Sequence, residues 1–273
     1  MSTPPDDLVL VAVAVLWGAV TGALLPRAAY RFSVPEEEAD GGWRRTCPAG
    51  HPIRGWVGGA RCARCARSAR SVDDLGDPDR PRAPFLSAAA PVLPSAAAPV
   101  LPAVTAGVCA VLAAATGLRP ELAVWLLLAP LGVLLAVVDL RVQRLPDPLT
   151  LTLAAAALAL LGPTALLPEH AGHWTTALLG TLVLGGGYLL LHLVSPAGLA
   201  FGDVKLALGA GAVLGWYGWP TVTLGALAGF LLGALYGGAL VVAGRAGRRT
   251  VIPFGPFMLA GTLVGMLIGA YAA

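Results

Sequence analysis

The 273-residue chain is 57% hydrophobic and 12% charged, with a formal net charge of +3. Soluble globular proteins carry about 25% charged residues, so this chain lacks the polar surface of a water-soluble globule; its mean hydropathy of +0.76 agrees. The apolar runs are long enough to cross a hydrocarbon core of ~30 Å as helices and too long for the strands of a barrel.

Those runs fall at roughly 8–25, 101–118, 121–139, 149–167, 174–194, 203–219, 221–243 and 252–271. The expected fold is an all-α polytopic membrane protein of about eight transmembrane helices with a small cytoplasmic loop subdomain. The chain divides into a first helix (1–25), a cytoplasmic loop (26–100) and a membrane core (101–273). The first span has no basic flank before it and no small-residue cleavage site after it, which marks a retained helix rather than a signal peptide. The boundary at Trp219-Pro220 has almost no polar residue to mark it.

Basic residues orient the helices. Eleven arginines lie between the first two spans. Arg141 and Arg144 follow the third, Lys205 opens the sixth, and Arg245, Arg248 and Arg249 follow the seventh. With eight spans all of these fall on one side and Arg119 alone on the other. An excess of Lys and Arg marks the cytoplasm, so both termini are expected outside, in a bacterial cytoplasmic membrane. The positive charge then reflects orientation in the lipid bilayer, and nucleic acid is not an expected partner.

The loop opens with an acidic run, Glu36, Glu37, Glu38 and Asp40, read as a solvated segment. It closes with "SAAAPVLPSAAAPVLP", an eight-residue unit repeated at 87–94 and 95–102, whose prolines stiffen an extended spacer. Between them, "CPAGHPIRGWVGGARCARC" offers Cys47, His51, Cys62 and Cys65. Thiolate and imidazole at this spacing suit tetrahedral zinc, which would stabilise a loop too small to hold a core. The alternative is four ordinary reduced side chains with no metal. Cys109, inside the second span, is expected to pack as a small apolar residue.

Two carboxylates intrude at helix ends. "LLAVVDLRVQRLPDPLT" puts Asp139 at the cytoplasmic end of the third span, with Asp147 just before the fourth. "SPAGLAFGDVKLALGAG" puts Asp203 and Lys205 at the start of the sixth. Carboxylates at membrane depth are costly and mark functional sites. Topology brings Asp139 and Asp203 to one face, where a pair sharing a proton can activate water, as in aspartic proteases. The helix dipole disfavours charge on Asp139, at a C-terminus, and favours it on Asp203, at an N-terminus. Asp203 is therefore expected to act as general base, with Asp139 holding the proton. Lys205 is either a snorkelling anchor or a member of the site.

Here a family resemblance becomes specific. "DLRVQRLPDPLT" resembles the first active-site motif of the type IV prepilin peptidases, and "FGDVKLALGAG" the second, which names the GxGD-type membrane aspartic proteases. "IPFGPFMLAG" is similar to the segment that opens their last helix; "GALLPRAAYR" and the Cys/His loop are degraded likenesses of their N-terminal features. The resemblance implies Asp139 and Asp203 as the catalytic pair, Gly202 as the glycine before the second aspartate, and Asp147 and Lys205 as supporting positions. It implies a prepilin or pseudopilin precursor as substrate, cleaved at the cytoplasmic face after a glycine. Many relatives also methylate the new amino terminus with S-adenosylmethionine. This chain departs from the pattern at Ala200, in place of the first glycine of GxGD. It departs again at Gly50 and His51, in place of the second cysteine of a CxxC pair, and in lacking an asparagine near Pro26 and Arg27. Because these last losses cluster near the N-terminus, the resemblance carries proteolysis further than methylation. Two other classes remain open at this stage. One is an ion-coupled transporter, which would place its carboxylates near the midplane and often show repeats. The other is a non-catalytic subunit of a pilus or secretion assembly.

The glycines of "LLGTLVLGGGYLLLHL" and "LGALAGFLLGALYGGAL" are expected at close helix contacts. Trp216, Tyr217 and Trp219 are expected to form an interfacial aromatic belt. His170 and His173 are placed away from the carboxylates and are not expected ligands.

Overall fold

A computed structural model describes residues 4–34, 42–59, 62–65, 67, 100–196, 198–245, 247 and 252–273. The acidic run and nearly all of the Pro/Ala repeat lie outside the described residues. Among the described residues, eight long helices follow in order: α1 (Pro4–Phe32), α2 (Val100–Thr116), α3 (Glu121–Val142), α4 (Asp147–Thr164), α5 (Trp174–Val194), α6 (Phe201–Trp216), α7 (Trp219–Val242) and α8 (Gly255–Ala272). Among the described residues, six are long and apolar enough to cross a membrane, and α2 is a shorter apolar helix. The chain is a polytopic all-α membrane protein.

The lipid-facing surface is apolar. Leu190, Leu193, Leu231, Leu235 and Val242 are 60–91% exposed, a continuous greasy exterior that water would not tolerate. The sixth helix is different. At 16 residues it rises roughly 24 Å, short for a bilayer. It is the most enclosed helix of the bundle, with every residue from Gly209 to Trp216 buried. Short length is tolerated there because α6 packs against α4, α5, α7 and α8 rather than lipid.

Small residues set the close contacts. A Cβ on Gly180 would lie 2.5 Å from the Gly211 carbonyl oxygen, and one on Gly211 2.3 Å from that of Gly180, so α5 and α6 touch backbone to backbone. A Cβ on Gly261 of α8 would lie 2.3 Å from the Gly229 nitrogen of α7. The expectation of glycine-mediated packing thus holds at these positions. It does not hold at Gly186, Gly187 or Gly238, where nothing lies within 4 Å of such a Cβ.

Three local outcomes differ from the sequence reading. First, α1 continues seven residues past position 25, through Pro26. A proline leaves the helix ladder a bond short, and the loop docks on the turn around it: Gly58 N–H donates to Leu24 C=O at 2.9 Å and Arg27 N–H donates to Gly58 C=O at 3.0 Å. Second, the break between α6 and α7 falls at Tyr217–Gly218, where Gly218 adopts φ +101° and Pro220 sits in the first turn of α7. Third, Trp216 does not belong to an aromatic belt. It is fully buried, because it packs under the turn before α5, where His173 N–H donates to its carbonyl at 3.0 Å. Trp219 remains half exposed, as an interfacial residue would.

Candidate active site

The connection from α3 to α4 builds the first half of the site. Gln143 ends α3 in the left-handed conformation (φ 52°), and its N–H donates to the Asp139 carbonyl at 2.8 Å. This turns the chain so that the buried Leu145 points inward, Pro146 caps α4 and Asp147 opens it. The Leu-Pro-Asp segment therefore contains a wedge, a stop and a first-turn acid, each at the position its chemistry favours.

Leu145 touches both other segments of the site. A Cβ on Gly202 would lie 3.0 Å from Leu145 Cβ, and one on Gly255 would lie 3.4 Å from its Cδ1. The N-termini of α6 and α8 thus close on the same leucine. The sequence reading expected Gly202 to admit close approach of substrate and backbone; Leu145 lies against it, with its Cβ 3.0 Å and its backbone nitrogen 3.6 Å from such a Cβ.

Asp139 and Asp203 are each 4% exposed and lie close enough for the charge of one to act on the other. Asp203 is the third residue of α6, and its Oδ2 accepts the N–H of the N-cap residue Ala200 at 3.2 Å, one half of a capping box. Ala200 has φ −74° and ψ 151°, an extended conformation open to any residue. The loss of the first glycine of GxGD is thereby explained.

Asp139 has a partner the sequence reading missed. Its Oδ2 accepts the N–H of Gly255, the first residue of α8, at 3.0 Å. Asp139 ends its own helix, yet it also sits at the N-terminus of another, where a dipole and free N–H groups favour a carboxylate. The asymmetry that assigned the proton to Asp139 and the charge to Asp203 is therefore offset. Gly255 belonged to a quoted motif, but only the fold reveals that its missing side chain makes room for Asp139. A Cβ there would lie 2.7 Å from Asp139 Oδ2.

Lys205 resolves between its two readings. Its Nζ pairs with Asp147 Oδ1 at 2.5 Å and lies 4.8 Å from the Phe201 ring centre. It neither reaches out alone as an anchor nor contacts the paired aspartates; it ties the start of α4 to α6. His170 and His173 pack near Trp216, at the opposite end of α6 from Asp203.

A second cluster lies in the loop that docks on the end of α1. Arg31 donates to Gly55 C=O at 2.7 Å and lies over the Trp56 ring, which also stacks on Phe32 at 5.0 Å. Within this loop Cys47 N–H donates to His51 C=O at 2.9 Å across a tight turn with Gly50 at φ +79°. Cys47, His51, Cys62 and Cys65 place one donor atom each within 4.8 Å of one another. Cys47 Sγ lies 3.7 Å from Cys65 Sγ and 3.6 Å from His51 Nδ1. Thiolates bound to one tetrahedral zinc at 2.3 Å stand about 3.8 Å apart, so the four fit a metal of that kind. Burial and the neighbouring thiols push Cys65 up to about 11, while backbone N–H donation from Cys65 holds Cys62 below the usual thiol range.

Fold and site together define a class: a helical membrane bundle with a pair of buried aspartates at one end. Residues 122–238 match the sequence model of the type IV leader peptidase family. That segment spans most of α3 to α7 and contains both aspartates. The chain is similar to the prepilin leader peptidase/N-methyltransferase of Bacillus subtilis, at 32% identity over 59% of this chain and 64% of the relative. It is also similar to the proteins of that name from Escherichia coli (36% identity, 48% and 57%) and Aeromonas hydrophila (34%, 59% and 53%). The chain thus spans between half and two thirds of the length of these relatives. No solved structure matches it.

Proposed function

We propose that this protein is a membrane aspartic endopeptidase that removes the leader of prepilin-like precursors. The observation that carries the reading is the meeting of Asp139 and Asp203, buried and anchored, inside the segment that matches the leader peptidase family.

In the proposed working state the two carboxylates share a proton. In the proposed reaction the charged member takes a proton from a water as its oxygen attacks the scissile carbonyl. The protonated member supplies a proton to the substrate, and the C–N bond breaks. Gly255 N–H and Ala200 N–H each hold one carboxylate oxygen, leaving the second oxygen of each for water and peptide. Leu145, Gly202 and the Lys205–Asp147 pair keep the helix ends that carry the carboxylates together. Both carboxylates lie at one end of the bundle, at the C-terminus of α3 and the N-termini of α6 and α8, and this location disfavours a carrier with a midplane site.

The proposed substrate is a precursor with a short polar leader followed by an apolar helix in the bilayer. The distribution of Lys and Arg supports a cytoplasmic active site with both termini outside. The proposed division into a first helix, a loop unit and a peptidase core puts zinc in the loop unit. Cys47, His51, Cys62 and Cys65 would hold that ion, whose part is to fold the loop against α1. Proteolysis alone is proposed here. Among the described residues, the cavity beside this cluster is lined by Arg27, Arg54, Arg64 and Arg67.

Incubation of the purified protein in lipid nanodiscs with a panel of prepilin-like precursors, read by mass spectrometry, tests the reading. A new amino terminus at the leader boundary is expected. Intact precursors throughout, with a folded protein, would refute it.

A further inference from the structure

Tyr188 of α5 is buried, 2% exposed, and its hydroxyl has no hydrogen-bond partner among the described residues. A phenol in such a position normally finds a partner, and leaving one unmade is costly. The ring is firmly placed. It stacks on Phe230 of α7 with centroids 5.4 Å apart and an interplanar angle of 24°. It also packs 6.2 Å from Phe254, the N-cap of α8 and the neighbour of Gly255, whose N–H holds Asp139. The Asp203 charge in turn acts on the phenol. Contacts with α7 and the start of α8 thus fix an unspent O–H in the neighbourhood of Asp203.

Resting on the peptidase reading above, we infer that the Tyr188 hydroxyl donates a hydrogen bond to the carbonyl oxygen of the scissile peptide as that carbon becomes tetrahedral. Tyr188 transfers no proton; the carboxylate pair carries out the proton exchange. The carboxylate pair moves protons between the water and the departing amine, and the carbonyl oxygen gains from a further, neutral donor. A phenol can donate without ionising, and a fixed donor aimed at developing charge needs no rearrangement when the reaction occurs.

The test uses the full-length protein in nanodiscs with a cleavable precursor, comparing wild type, Tyr188→Phe and Asp203→Asn. Tyr188→Phe keeps both ring contacts, so its thermal unfolding should match that of wild type. Its kcat should fall on the order of 100-fold with KM nearly unchanged. Two peptide inhibitors give a second readout: one with a hydroxyl-bearing tetrahedral isostere at the scissile position, one a reduced amide without that oxygen. Tyr188→Phe should lose affinity for the first by a similar factor and retain it for the second. A kcat within twofold of wild type overturns the inference while leaving the peptidase intact. A lowered kcat with an unchanged inhibitor ratio and a shifted pH profile also overturns it, because the hydroxyl then acts on Asp203. Absence of cleavage by wild type overturns the peptidase reading and this inference with it.

Discussion

Replacing Gly255 by alanine should disable the site while changing a single methyl group. The backbone of Gly255 is not in the left-handed region, so alanine is conformationally free to open α8 there; the cost is steric. The added Cβ would lie 2.7 Å from Asp139 Oδ2, 3.2 Å from its Cγ and 3.4 Å from Leu145 Cδ1. Ordinary contact needs roughly 3.5 Å, so Asp139 or the start of α8 must retreat by roughly 0.8 Å. Retreat stretches the 3.0 Å hydrogen bond from Gly255 N–H, a bond to a carboxylate worth about 1.5–3 kcal/mol. It also displaces a reacting group by nearly the ångström that costs on the order of 100-fold in rate. Cleavage of a precursor in nanodiscs should therefore fall about 10- to 100-fold, with thermal unfolding followed in parallel to exclude gross misfolding. Gly202→Ala should be milder, because its nearest contact would be Leu145 Cβ at 3.0 Å, which asks for a shift of a few tenths of an ångström and touches no carboxylate. Ala200→Gly should be close to neutral. Wild-type cleavage by Gly255→Ala would refute the placement of α8 against Asp139.

Three further predictions follow from the surroundings. The Lys205–Asp147 pair, with side chains 20% and 59% exposed, is screened by water, so a double-mutant cycle with alanine at both positions should give a coupling below about 1 kcal/mol in unfolding experiments. The purified protein should contain one zinc per chain by elemental analysis. Cys47→Ser or a chelator should loosen the loop to limited proteolysis, and uptake should weaken as pH falls, because the ligating thiols must lose their protons to bind. Accessibility labelling of single cysteines placed at residues 3 and 273 should report both ends on the side of the membrane opposite a cysteine placed in the 143–146 turn.

Helix existence was legible because each apolar run exceeds the length of a soluble core helix, and the charges between runs are few. Helix ends were less so. Pro26 reads as a stop, yet α1 passes through it, and Gly58 of the loop bonds the backbone of Leu24 and Arg27 on either side, a long-range contact that no local pattern announces. The aspartate motifs could be read as a pair, since topology alone put both at one face. Their fine chemistry could not be read, because the donor to Asp139 comes from a residue 116 positions away. Tyr188 carried no signal either: in an apolar helix a tyrosine resembles any packing aromatic, and only its lack of a partner beside Asp203 sets it apart. The Cys/His loop was legible from donor type and spacing, since four ligands so close in sequence have few other ways to meet. Trp216 misled because proximity to a helix end suggests an interface, whereas the C-terminal half of α6 is enclosed.

The most direct test of the central claim is the cleavage rate of a prepilin-like precursor by Asp139→Asn and Asp203→Asn in nanodiscs, beside wild type and with folding verified for each. Wild type should cleave at the leader boundary and each variant should lose at least about 1,000-fold in rate, with the double variant no worse, because the two groups act as one unit. Retention of wild-type cleavage by either variant would contradict it.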